Sequence, residues 1–216
     1  AGAATRLWTT GNLVINRDLN IKLGGGQATG IGTAGASENE SLVINGNVNL
    51  NAVTPDSLAR FLSLEGDTTI NNAVTINGNI TGTGGLRANF ASYNILAGTN
   101  NTYSGSTLIG TSVLASVATN NTLTLDTETW EARSSNAFGT GGIFFHSSTN
   151  TTQPVTGTGL LRSGGAGPIT LSNDLVLTNG FARFGGTQAI TLNGNMFLNG
   201  APTNNSVVSV EGTAAP

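Results

Sequence analysis

Several things that most chains of this size contain are scarce here. The 216 residues include no cysteine, so neither a disulfide framework nor a thiolate zinc site is available. Charged residues make up only 9% of the sequence, against about 25% in ordinary soluble proteins. The eight Lys and Arg residues stand singly in a chain of net charge -3. With no basic patch to neutralise phosphates, we expect no nucleic-acid partner.

Long apolar runs are also missing. No window approaches the roughly 18 consecutive apolar residues that a membrane-spanning helix needs, so we predict no membrane insertion by this segment. The chain opens "AGAATRLW", with neither Met nor a basic and apolar leader, which is the pattern that removal of a signal peptide leaves. We therefore expect a secreted protein. Residues 1–206 are predicted to form one domain, and 207–216 a terminal strand or linker.

What the sequence does contain is 31 glycines and a repeat. The pattern apolar-x-apolar, three turn-like residues, apolar-x-apolar occurs as "LVINRDLNI" from Leu13, "LVINGNVNL" from Leu42, "ITLSNDLVL" from Ile169 and "ITLNGNMFL" from Ile190, and almost completely as "VTINGNITG" from Val74. Alternating apolar residues predict short strands with one buried face. The middle triplets mark either a corner or a tight hairpin.

The repeat also predicts a core. Because a one-residue slip would put each alternating set into water, twelve apolar side chains should point inward. They are Leu42, Ile44, Val48, Leu50, Ile169, Leu171, Leu175, Leu177, Ile190, Leu192, Met196 and Leu198. A second repeat, "ITGTGGLRAN" at 80–89 and "VTGTGLLRSG" at 155–164, indicates a solenoid. At 54–62, "TPDSLARFL" fits a helix and a strand equally well.

A family resemblance rests on residues 80–115, "ITGTGGLRANFASYNILAGTNNTYSGSTLIGTSVLA". This stretch resembles the autotransporter-associated β-strand repeat, also called the passenger-associated transport repeat, although Arg87 stands where the family usually has lysine and Ser106 where it has a second glycine. Residues 131–145 are similar to the segment that commonly follows the repeat. The resemblance implies an all-β, right-handed parallel β-helix on a bacterial surface.

The resemblance also implies a role for "NNTYSGSTLIG" at 100–110, which contains no catalytic side chain. It would be one turn followed by a strand. Thr107 and Ile109 would point to one face, Tyr103 would lie against the neighbouring coil, and Gly105 would permit a sharp corner. About ten coils of roughly 20 to 25 residues each, spaced about 4.8 Å apart, would make a rod on the order of 50 Å long.

Two candidate sites are weak on sequence grounds. "GIGTAG" at 30–35 matches the dinucleotide fingerprint, but no helix pattern follows it, so we interpret it as a surface loop. His146 is the single histidine, and its neighbouring serines do not make a catalytic triad, which is defined by geometry rather than adjacency. We predict no catalytic residue and no cofactor.

The densest acidic cluster, "LDTETWEAR", places Asp126, Glu128 and Trp130 on one strand face. Carboxylates beside an aromatic ring can bind calcium or stack a sugar, and a carboxylate pair can hydrolyse a glycosidic bond. The competing interpretation is an exposed polar face with a partly buried indole. These three residues are the only binding candidates that the sequence offers.

Together these patterns favour a structural, non-catalytic protein of the cell surface or extracellular space, part of an adhesin or a self-assembling filament, sheath or stalk. Its expected partners are other copies of itself, joined end to end or by donation of the strand at 207–212, or a host surface. The alternative is a glycan-binding or glycan-cleaving β-helix of the tailspike or polysaccharide lyase type. With Lys22 the only lysine, the lyase form is less favoured.

Overall fold

The computed structural model describes residues 5–24, 29–33, 40–52, 61–66, 73–89, 92–110, 128–146, 158–178, 181–199 and 207–211. The regular structure of these segments is entirely β-strand. In chain order the strands are β1 (Thr5–Thr9), β2 (Leu13–Ile15), β3 (Leu19–Leu23), β4 (Thr29–Thr33), β5 (Leu42–Ile44), β6 (Val48–Ala52), β7 (Phe61–Glu65), β8 (Val74–Ile76), β9 (Ile80–Gly82), β10 (Gly85–Asn89), β11 (Tyr93–Leu96), β12 (Thr107–Ile109), β13 (Thr129–Ala132), β14 (Ile143–His146), β15 (Thr158–Ser163), β16 (Ile169–Leu171), β17 (Leu175–Thr178), β18 (Phe181–Gly186), β19 (Ile190–Leu192), β20 (Met196–Asn199) and β21 (Val207–Val210).

The strands stack as the successive coils of a parallel β-helix. Sheet A has the order β1-β4-β7-β10-β12-β14-β17-β20, and sheet B the order β2-β5-β8-β11-β13-β15-β18-β21. Two short sheets, β3-β6-β9 and β16-β19, form parts of a third face. Every strand pair is parallel. The predicted all-β solenoid is therefore confirmed, and the hairpin reading of the triplets is wrong.

The triplets are corners, of two kinds. In the copies from Leu13, Leu42 and Val74, the triplet connects a strand of sheet B to a strand of the third face. In the copies from Ile169 and Ile190, it connects the third face to sheet A. The same local pattern serves both corners because each needs only a tight bend between two half-buried strands.

At the N-G-N corners, glycine is required by the stacking of coils. A Cβ on Gly78 would lie 2.8 Å from the backbone nitrogen of Asn47, closer than real Cβ atoms approach. The flanking asparagines form ladders from coil to coil. Asn77 Nδ2 donates to Asn45 Oδ1 at 2.8 Å, and the backbone nitrogen of Asn79 donates to Asn47 Oδ1 at 3.0 Å. Each N-G-N triplet thus fixes the register of its coil on the coil before it.

The core runs along the axis between the sheets. Eight of the twelve predicted core residues are buried, from Leu42 to Leu177. The other four depart from the prediction: Ile190 and Leu192 are half-buried, and Met196 and Leu198 are 40% and 57% exposed. They belong to the last coils, where no further described strand covers them. The alternation is correct, but burial also requires a neighbouring coil on both sides.

Residues 100–110 have the predicted arrangement, but Gly105 is needed for a different reason from the one predicted. Thr107 and Ile109 are buried on the inner face of β12, and Tyr103 is fully buried with its hydroxyl 2.7 Å from Thr107 Oγ1. Burial raises the pKa of Tyr103 far above its ordinary value. Gly105 is needed because a Cβ there would overlap the backbone of Gly84 in the preceding coil.

The structure bears on three further predictions. The described residues form eight coils rather than about ten, because equivalent positions lie between 20 and 36 residues apart, as in the Val74–Asn94 and Tyr93–Thr129 pairs. The two copies of the longer repeat occupy different sheets, with β10 in sheet A and β15 in sheet B. Phe61 and Leu62 are strand, whereas 54–60 lie outside the described residues.

Candidate functional site: the open ends of the solenoid

The C-terminal end exposes the apolar interior of the coil. Met196 and Leu198 continue the inner row of sheet A, and Val208 and Val210 continue that of sheet B, since Val210 pairs with the buried Phe184. Val208 and Val210 are 42% and 79% exposed. Among the described strands, β19, β20 and β21 each have only one neighbour. This end therefore combines three open backbone edges with an uncovered apolar face.

A cavity of about 350 Å³ opens at the same end. Its apolar lining comes from Phe184, Ile190, Leu192, Val208 and Val210, and Glu211 lies at its margin. Glu211 forms an ion pair with Arg183, which stands on the outer side of β18. The cavity is the mouth of the solenoid core, and Glu211, the charged residue of its described lining, is already paired with Arg183.

The N-terminal end is less open. A cavity of about 300 Å³ is lined in part by Leu7, Leu19, Ile21 and Ile31. Of the inward-facing apolar residues in this first coil, Leu7 is exposed, whereas Leu19 and Ile21 are half-buried and Leu23 is fully buried. The two ends of the solenoid are thus unequal in exposed apolar surface.

A buried carboxylate on β7 binds side chains of the first coil. Glu65, 2% exposed on β7, accepts a hydrogen bond from the Trp8 indole, and its Oε1 lies 3.4 Å from Arg6 Nε on β1. The side chain crosses β4 over Gly30, where a Cβ would lie 2.8 Å from Glu65 Oε1. The "GIGT" segment is therefore a buried strand, and its interpretation as a surface loop was wrong. Sequence reasoning missed this cluster, although glycines alternating within a strand signal close approach by another group.

The predicted acidic cluster lies in the interior. Trp130 is fully buried, its indole donates to Glu128 Oε1, and its ring centroid is 6.3 Å from that of Phe138. Glu128 is 1% exposed, and its Oε2 accepts the backbone N–H of Gly110 at 2.8 Å. The expected exposed polar face is therefore wrong for these two residues, and the indole has no face available to a sugar. Asp126 lies outside the described residues.

A third buried carboxylate, Glu131, connects side chains on the outer side of sheet B. Glu131 accepts hydrogen bonds from the Tyr93 hydroxyl at 2.5 Å and from Arg133 Nε at 2.8 Å, and Arg162 Nε lies 3.8 Å away. Burial raises the pKa of Tyr93, and the hydrogen bond to Glu131 raises it further. Fixed hydrogen-bond and ion-pair partners thus surround the Glu131 carboxylate, as in a structural ion-pair network.

The remaining candidates contribute little. His146 is the last residue of β14. Within the described segments, no group of three or more His, Cys, Asp or Glu residues is placed to hold a metal ion. The same segments contain no helix long and apolar enough to cross a membrane.

Comparisons with protein-family models, curated proteins and solved structures find no match to this chain. The resemblance of residues 80–115 to the autotransporter-associated β-strand repeat thus stays a prediction.

Proposed function

We propose that this chain is a structural, non-catalytic β-solenoid element of the extracellular space or cell surface, and that it associates with other copies through its open C-terminal end. The observation that carries the proposal is the exposure of Met196, Leu198, Val208 and Val210. These side chains continue rows that are buried in every interior coil. Covering them with a second chain removes apolar surface from water and provides hydrogen-bond partners for the open strand edges.

The buried charges support a non-catalytic role. Glu65, Glu128 and Glu131 each accept hydrogen bonds from the scaffold itself: from the Trp8 indole, from the Gly110 backbone N–H and from the Tyr93 hydroxyl, respectively. The scarcity of charge leaves little electrostatic repulsion between copies. The extracellular assignment rests on the family resemblance.

Strand donation by 207–212 is less favoured as the route of association. β21 already pairs with β18 over Phe181–Phe184 of its own chain, so donation would first break that pairing. The free edge of β21 and its exposed valines are available without any such cost. Association by contact of the ends is the simpler arrangement.

Sedimentation velocity of two matched variants tests the proposal. Val210→Lys places a charge on the open C-terminal face, and Val14→Lys makes the same change on β2 at the other end, where Val14 is 53% exposed. Both positions are exposed, so we expect both variants to fold. The unmodified chain and Val14→Lys should associate, and Val210→Lys should sediment as one copy. Single copies of the unmodified chain at high micromolar concentration would contradict the proposal.

A further inference from the structure

Three N-G-N corners of the solenoid have the same backbone contacts. They begin at Asn45, Asn77 and Asn193, and with the residue before them they read "INGN", "INGN" and "LNGN". The backbone nitrogen of each first asparagine donates to a carbonyl oxygen of the preceding coil at 2.8 Å. The backbone nitrogen of each last asparagine donates to a side-chain oxygen of that coil at 2.7 to 3.0 Å. The three corners are therefore matched in sequence and in backbone geometry.

The corners differ in the side chain that lies beneath the first asparagine. The strand register places an asparagine beneath Asn45 and beneath Asn77, but Ser172 beneath Asn193. Asn45 Nδ2 donates to Asn16 Oδ1 at 2.7 Å, and Asn77 Nδ2 donates to Asn45 Oδ1 at 2.8 Å. The Asn193 side chain is exposed and forms no hydrogen bond with the residues that the structure describes. Asn45 and Asn77 are thus held in a ladder, and Asn193 is not.

An asparagine that is followed by glycine can react with its own backbone. The backbone nitrogen of the glycine loses its proton and attacks Cγ of the asparagine, a five-membered succinimide ring closes, and the side-chain nitrogen leaves as ammonia. Water then opens the ring to aspartate or isoaspartate. Glycine favours the attack because it has no Cβ to restrict the backbone. The asparagine side chain must turn toward the main chain to react, so a ladder bond at Nδ2 opposes the reaction.

We infer that Asn193 is a site of spontaneous deamidation, and that the ladder protects Asn45 and Asn77 from the same reaction. Asn77 must break an ordinary hydrogen bond before it reacts, so its rate should be about 2- to 13-fold below that of Asn193. Asn45 both donates and accepts in the ladder, so it should react most slowly. Deamidation replaces a neutral amide by a carboxylate, and isoaspartate adds one main-chain atom to the corner that leads into β20. The inference does not depend on self-association of the chain.

Peptide mapping by mass spectrometry measures the three rates in one sample. The unmodified chain is incubated in a mildly alkaline buffer, as a dilute solution in which contacts between copies do not cover Asn193. It is digested at intervals, and each Asn-Gly pair is scored for the mass increase of amide-to-acid conversion. In the folded protein we expect Asn193 to react first, then Asn77, then Asn45. In urea the coils are lost, and the three rates should become similar because the local sequences match. Equal rates in the folded protein, or the same differences in urea, would overturn the inference.

Two exchanges of ladder residues test the cause of the difference. Ser172→Asn places an asparagine beneath Asn193, as Asn16 lies beneath Asn45, and should lower the Asn193 rate by about 2- to 13-fold. Asn45→Ser gives Asn77 the same lower neighbour as Asn193 and should raise the Asn77 rate by the same factor. Positions 45 and 172 are exposed, so we expect both variants to fold, which circular dichroism checks. A folded variant whose rate stays unchanged would show that the ladder does not control deamidation, and the inference would fail.

Discussion

Substitution of a corner glycine should separate the coils that it joins. Gly78 lies between β8 and β9, and a Cβ at this position would be 2.8 Å from Asn47 N and would overlap the carbonyl oxygen of Gly46. Both atoms belong to the backbone of the preceding coil, so no side-chain rotation can relieve the contact. In Gly78→Ala the two coils must move apart at this corner.

The loss of stability in Gly78→Ala follows from the contacts that this movement weakens. Overpacking costs about 1 to 3 kcal/mol. Weakening the Asn77–Asn45 ladder bond, 2.8 Å long, adds about 0.5 to 1.5 kcal/mol. Replacing glycine by alanine also restricts the unfolded chain, which offsets about 0.4 to 1 kcal/mol of this loss of stability. The free energy of unfolding should therefore fall by about 0.5 to 4 kcal/mol.

Gly11→Ala is the matched control, because no heavy atom lies within 4 Å of a Cβ at Gly11. Its unfolding free energy should stay the same or rise by a few tenths of a kcal/mol up to about 1. The assay is urea unfolding followed by circular dichroism and by tryptophan fluorescence, two probes whose agreement tests for a single transition. A Gly78→Ala protein as stable as Gly11→Ala would refute the stacking argument.

Three more predictions concern the core and its polar groups. Leu171→Ala should cost about 2 to 5 kcal/mol in urea unfolding, because Leu171 is fully buried; a loss below 1 kcal/mol would contradict its place in the core. Trp130→Phe removes the indole donor to Glu128 and should cost about 1 to 3 kcal/mol in the same assay, whereas an unchanged midpoint would show that the bond contributes nothing. Burial raises the pKa of Tyr93 and Tyr103 in the folded protein, so stability should be constant up to about pH 10 and fall above it, where the unfolded chain ionises first. Tyrosinate absorbance that rises near pH 10 while the circular dichroism stays folded would contradict this.

Alternation and turn chemistry made the interior of the solenoid predictable. In "LVINGNVNL" the apolar residues recur at every second position, and strand geometry puts such residues on one face. Leu42, Ile44, Val48 and Leu50 are fully buried for this reason. The glycine between the two asparagines identified a bend, and the absence of alternation across the triplet is explained by the change of sheet.

The length of the coils and the environment of the ends were not predictable in this way. The turn at 134–141 lengthens one coil without changing the alternation of the strands beside it. Leu198 has the same local pattern as Leu177, yet Leu177 is fully buried and Leu198 is 57% exposed. The difference comes from a neighbouring coil that is distant in sequence, and local periodicity carries no information about it.

The candidate site was only partly within reach of sequence reasoning. Glu128 and Trp130 stood out because acids are rare in this chain, but the pattern "DTETW" does not show which face is buried. Their position inside the solenoid depends on the pairing of β13 with β11 and β15.

Small-angle X-ray scattering of the 216-residue chain tests the central claim most directly. Eight strands at about 4.8 Å spacing give one copy a sheet height of about 40 Å, so a pair joined through its C-terminal ends should extend to about 80 Å. We expect a mass of two copies and this doubled length, and the loss of both in Val210→Lys. A mass of one copy with a length of about 40 Å would contradict the account.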